Sequence, residues 1–175
     1  MNADWEVEIG GDAPVIEALW PGFIDLRAHP ERVSEIAETA VFPPLAVLLK
    51  SLNAPDSTLW TSKCDVWEPD PAAIALYVDI LPCEGSVFAQ RQQAEAFCRE
   101  LVGRLAGLGT HDCSVDLVIR QAIAGEAVGF GITAYLSASG SDRSQAASLL
   151  ATSLAGFSDA LPRVSPPAKP GSRLQ

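Results

Sequence analysis

Trp5, Val7 and Ile9 alternate with Glu6 and Glu8, a period of two that predicts a short half-buried strand before "GGDAP" breaks it. "LWPGFIDLRAHP" then bends at Pro21 and Gly22. From Pro30 the spacing lengthens. Val33, Ile36, Ala37 and Ala40 fall on one helical face, with Pro30 suited to a first turn. Pro43 and Pro44 interrupt the pattern. "PLAVLLKSLN" predicts a second short helix, more apolar than a helix packed on one side needs.

"STLWTSKCDVWEPD" returns to a strand. Simple alternation puts Trp60, Cys64 and Val66 on one face, and Leu59, Thr61, Lys63, Asp65 and Trp67 on the other. "AIALYVDIL" predicts the next strand, with Ile74, Leu76, Val78 and Ile80 facing one way and Tyr77 and Asp79 the other. Between Ser86 and Leu108 the period is helical, with Phe88, Phe97, Cys98, Leu101 and Leu105 in its apolar stripe. "CSVDLVIRQAIAG" and "AVGFGITAYLSASG" read as two strands joined tightly at Gly125 and Glu126, a hairpin. Gly129 and Gly131 leave room there for a bulky neighbour or a close backbone. The last helix, "SDRSQAASLLATSLAGFSDAL", is capped by Ser141 or Asp142 and closed by Pro162. Residues 1–162 are expected to form a single α+β domain, and the Pro-rich, basic residues 163–175 a flexible tail.

The order strand, helix, strand, hairpin strand, helix is most of a split β-α-β unit, the ferredoxin-like arrangement. The strand carrying Trp60 fills the edge that this plan leaves vacant, and the Trp5 strand extends the same edge. The expectation is an antiparallel sheet of four to five strands with two long helices on one face, plus the N-terminal strand and short helices. Those short helices would cap an end or cover part of the second face. A different α+β topology is the alternative.

Composition narrows the function classes. The chain has 175 residues, 48% hydrophobic and 19% charged, which is globular rather than disordered. Its formal net charge of −10 repels phosphate backbones, so no nucleic-acid partner is expected, and basic proteins, cationic ligands or metals remain open. The N-terminus has no basic and apolar leader and no apolar run reaches the roughly 20 residues of a membrane span, so a soluble, cytoplasmic protein is expected. Four cysteines without a CxxC pair read as free, largely buried thiols. His111 and Cys113 make at most half of a metal motif, against a polar loop entering a strand, and no metal or cofactor is expected.

No motif names a reaction. One sheet face, however, collects Lys63, Asp65, Trp67, Tyr77, Asp79, Asp116, Arg120, Thr133 and Tyr135. Of these, Lys63, Asp65, Trp67, Tyr77, Asp79, Arg120 and Tyr135 are the candidate ligand-binding residues: aromatics to stack, Lys63 and Arg120 to hold anions, Asp65 and Asp79 to accept hydrogen bonds. A solvated face with cross-strand ion pairs is the plainer alternative. The functional expectation is a binding or interaction module with a protein or small-molecule partner, as monomer or homodimer. A small enzyme using Asp65 and Asp79 as acid and base beside Lys63 is the runner-up. RNA recognition by Tyr77 and Tyr135 is disfavoured by the charge.

Overall fold

The computed structural model describes residues 1–108 and 112–164. Its elements are β1 (Asn2–Val7), β2 (Ile16–Glu17), a 3-10 helix (Pro30–Glu35), α1 (Ala37–Val41), α2 (Pro44–Leu52), β3 (Leu59–Trp67), β4 (Ala73–Pro82), α3 (Arg91–Leu105), β5 (Cys113–Ala124), β6 (Ala127–Ser139) and α4 (Arg143–Ala160). They build one six-stranded mixed sheet in the order β1-β5-β6-β4-β3, with β2 also pairing β5.

The central strands follow from their alternation. Leu76, Val78 and Ile80 of β4 stand beside Leu136, Ala134 and Ile132 of β6, and all are buried under the helices. Val115, Leu117 and Ile119 of β5 continue that layer. Leu101 and Leu105 of α3, and Leu150, Leu154 and Phe157 of α4, close over it. The Asp142 carboxylate caps α4 by accepting from the Gln145 N–H at 2.9 Å. Gln90 and Gln93 form a reciprocal capping box at α3. That start is later than the helical spacing suggests. Phe88 instead lies extended and exchanges two backbone hydrogen bonds with Phe130, after a turn with positive φ at Gly85 and Ser86. Gly129 is required here, because a Cβ on it would lie 2.3 Å from the Phe88 carbonyl oxygen.

Three expectations are corrected. The sheet is not purely antiparallel: β1 does not extend the β3 edge but runs parallel to β5 at the opposite edge. There Trp5 turns in beside Leu117 and the helices, Arg99 of α3 stands 5.7 Å over its ring, and the Met1 ammonium donates to the Leu108 carbonyl. The short helices do not cover the second face. Leu45, Leu48, Leu49 and Leu52 of α2 join the core on the helix side, where α2 packs on α4 and β3. Those neighbours cover its four leucines, while Val47 stays exposed.

Third, Trp60 is not on the face of Cys64 and Val66. Trp60 opposes Leu81, Thr61 opposes Ile80, and Cys64 then opposes Val78, so β3 bulges between Thr61 and Cys64. The bulge changes the phase of the alternation. Leu59, Cys64 and Val66 face the helices, while Trp60, buried to 1% exposure, faces away. It anchors a second small core with Ile16, Ala18, Leu81 and Ala122. Its indole N–H donates to the Pro82 carbonyl at 3.0 Å, Phe23 meets it edge-on, and the Arg27 guanidinium lies 4.3 Å from the ring centroid. The segment around residues 16–27, rather than the short helices, thus covers the lower part of the helix-free face.

Candidate functional site

What this second core leaves uncovered is an aromatic ladder. Asp65, Tyr77, Tyr135 and Asp116 are successive register partners across β3, β4, β6 and β5. The Tyr77 and Tyr135 rings are 5.9 Å apart, and Trp67, 39% exposed, lies 6.4 Å from Tyr77. None of the three lies under the long helices. All seven candidate residues come from the four strands β3 to β6, but they do not converge on one point.

Arg120, Thr133 and Asp79 form a hydrogen-bonded relay beside the ladder, buried at Thr133 and Asp79. Two guanidinium nitrogens of Arg120 donate to Glu8 Oε2 at 2.7 and 3.0 Å. Its third donates to Thr133 Oγ1 at 3.2 Å and Tyr135 Oη at 3.1 Å. Thr133 Oγ1 in turn donates a hydrogen bond to Asp79 Oδ1 at 2.7 Å. Burial opposes the charge on Arg120, but the hydrogen bonds it donates to Glu8 and Tyr135 outweigh it and hold the guanidinium firmly protonated. Asp79 is 4% exposed, and its burial pushes its pKa up to about 6 against the opposing pull of Thr133, Arg120 and Lys63. The arginine is therefore committed within the protein rather than offered to an external anion. Glu8, which commits it, lies 112 residues away in the chain, so only the finished sheet shows the pairing.

The remaining carboxylates lie around the ladder. Asp4 is the register partner of Asp116, and Glu6 that of Val118. Burial first, and the Asp4 charge second, raise the Asp116 pKa above the ordinary carboxylate value. A shallow hollow of about 400 Å³ is lined by Trp67, Tyr135, Arg120, Asp116 and Glu6.

Lys63 and Asp65 also border a second space. With one face of Tyr77 they line a cavity of about 520 Å³ at the free edge of β3, between Trp20–Leu26 and the start of α1. The Lys63 ammonium stands 5.6 Å over the Trp20 ring. That ring packs on Gly22, whose φ is +107°, and a Cβ there would come within 2.7 Å of it. The Trp20 indole N–H is buried with no hydrogen-bond partner among the described residues. Asp65 Oδ1 accepts from the Val66 backbone N–H at 2.7 Å. Cys64 in the same cavity has its thiol pushed up to about 12, by burial first and by Glu38, Asp65 and Asp79 after it, so it is no nucleophile at neutral pH. Sequence reading missed Trp20, Glu38 and Glu8 altogether. Trp20 beside Pro21 and Gly22 was a visible aromatic in a turn, whereas nothing local marks the other two.

A third cavity, about 600 Å³ and more apolar, lies on the helix side between Phe88, Phe97, Val128 and Val164. Val164, near the start of the proposed tail, donates its N–H to Thr58 Oγ1 at 3.0 Å. His111, the histidine of the metal expectation, lies outside the described residues. Among those described, no group of three or more His, Cys, Asp or Glu side chains is placed to hold a metal ion. No described helix is long and apolar enough to cross a membrane, and all four cysteines are free.

No family model matches the chain, and neither do curated proteins or solved structures.

Proposed function

We propose that this protein is a binding module whose helix-free sheet face receives a positively charged partner segment rich in arginine or lysine. The observation that carries the reading is the ladder Trp67–Tyr77–Tyr135, set apart from the helices and bordered by Asp4, Glu6, Asp65 and Asp116. Ring faces attract cations, and flat aromatics with acceptors around them suit guanidinium stacking. Of the two basic residues of the face, Arg120 is engaged by Glu8 and Lys63 is turned to the edge cavity over Trp20, so the free groups around the ladder are mostly acidic. This replaces the anion-holding role expected for Arg120. In this reading β4-α3-β5-β6-α4 follows the ferredoxin-like plan, with β3 in the place of its last strand. Free thiols, Cys83 exposed among them, suit a reducing cytoplasm.

Catalysis by Asp65 and Asp79 is the second reading, favoured by the raised Asp79 pKa. Geometry opposes it. Asp65 lines the edge cavity and Asp79 does not, and Asp79 is held by Thr133 in a buried position. Titrating the protein with arginine-rich, neutral and glutamate-rich decapeptides tests the binding reading. The basic peptide is expected to bind alone, more weakly as salt rises, and roughly tenfold more weakly to Trp67→Ala. Equal affinity for all three peptides, or for wild type and Trp67→Ala, overturns it.

A further inference from the structure

The cavity at the free edge of β3 shares Lys63, Asp65 and Tyr77 with the sheet face but has walls of its own. Its walls are apolar, formed by Ile24, Leu26, Ile36 and Leu49. Its volume of about 520 Å³ is in the ordinary range for small-molecule sites. Its polar groups are of two kinds. The donors are Trp20, whose indole N–H is buried without an acceptor, and the Lys63 ammonium, without a carboxylate in ion-pair range among the described residues. The others are acceptors. Glu35 is bound by Arg32 through two hydrogen bonds, at 2.9 and 2.8 Å, and is spent. Glu38 lines the cavity with no ion pair among the described residues, and Asp65 has only one oxygen engaged, on Val66.

A buried N–H without a partner destabilises a protein by roughly 1–3 kcal/mol, and a ligand acceptor relieves it. A ligand that satisfies every free group must carry a negative or carbonyl oxygen for Lys63 and Trp20, an ammonium for Glu38 and Asp65, and an apolar body for the walls. We infer that this cavity binds the ammonium–carboxyl head of an α-amino acid with an apolar side chain, either free or as the first residue of a peptide.

The test follows the Trp20 indole N–H resonance, assigned by its loss in Trp20→Phe, in the full-length protein. L-Leucine, L-leucinamide, 4-methylpentanoate and 3-methylbutylamine are titrated separately. The expected result is a saturable shift with leucine or leucinamide, at least about tenfold tighter than with either fragment that lacks one charged end. Leucinamide binding as tightly as leucine assigns the site to a peptide N-terminus, and leucine alone assigns it to the free amino acid; either upholds the inference. Lys63→Met should weaken leucine about tenfold and leave 3-methylbutylamine unchanged, while Glu38→Gln should weaken the amine. No saturable shift with leucine and leucinamide, a fragment that binds as well as both, or leucine binding indifferent to Lys63→Met overturns it.

Discussion

Asp79 shows how one side chain ties the core to the face above it. Its carboxylate is more easily charged in the unfolded chain than in the fold, where its pKa is raised to about 6 by burial. The folded state therefore holds the extra proton between about pH 4 and pH 6, and stability from this group falls as pH rises through that window. Above it the penalty is complete, up to about 3 kcal/mol for a shift of about two units. Asp79→Asn keeps an oxygen to accept from Thr133 and removes the charge. Urea unfolding at pH 4.5 and 7.5 should show the variant gaining 2 kcal/mol or so on wild type at the higher pH. Parallel pH dependences of the two proteins would remove the buried charge from the account. At the other end of the relay, Arg120→Met leaves Glu8 and Thr133 without their donor. It should destabilise the protein by roughly 1–3 kcal/mol in the same unfolding measurement, more than the equivalent change at the exposed Arg32–Glu35 pair.

At the scale of elements, the sequence was most legible where chain neighbours pack on each other. The β5–β6 hairpin, the alternation of β4, the α4 cap at Asp142 and the place of β3 beside β4 were all readable from local period and turn chemistry. Three things were not. The β3 bulge inserts residues without any glycine or proline to announce it, so Trp60 was set on the wrong face while Trp67 was set on the right one. The edge chosen by β1 depends on Trp5 meeting α3 and on Glu8 meeting Arg120, both distant in sequence. The candidate residues on the sheet face were identified as a set, but their division into ladder, relay and edge cavity depends on pairings that only the register supplies. Glycines make this testable. Gly103 lies in α3 with open space where a Cβ would go, so Gly103→Ala should stabilise by about 0.5–1 kcal/mol. Gly129→Ala meets the Phe88 backbone and should destabilise by more than about 1–3 kcal/mol, read as the shift in urea midpoint. A tolerated Gly129→Ala would mean that the Phe88–Phe130 bridge is not closed in solution.

The whole molecule has a sheet with two free edges and one acidic face, and both bear on whether it meets its own copies. The edges carry the same device. Asp4 Oδ1 accepts from the Trp5 N–H at 2.8 Å in β1, as Asp65 Oδ1 does from Val66 in β3. Each carboxylate occupies a donor and sets a charge on the strand, which discourages edge-to-edge pairing with a second sheet. The β3 edge is further closed where Asn53 hydrogen-bonds Thr61 and Ser62 Oγ donates to the Ala18 carbonyl. Two copies meeting through the helix-free faces would bring Asp4, Glu6 and Asp116 against their own kind, within a chain of formal charge −10. A monomer is therefore the expected state near neutral pH, in place of a homodimer through that face. Light scattering across a hundredfold dilution should give a constant mass of 18.5 kDa. The double variant Asp4→Ala, Asp65→Ala loosens both edges together and should shift the mass upward with concentration, whereas each single variant leaves one edge guarded. A wild type whose mass doubles on concentration, or a double variant that stays monomeric throughout, would show that charge and edge capture do not set the assembly state.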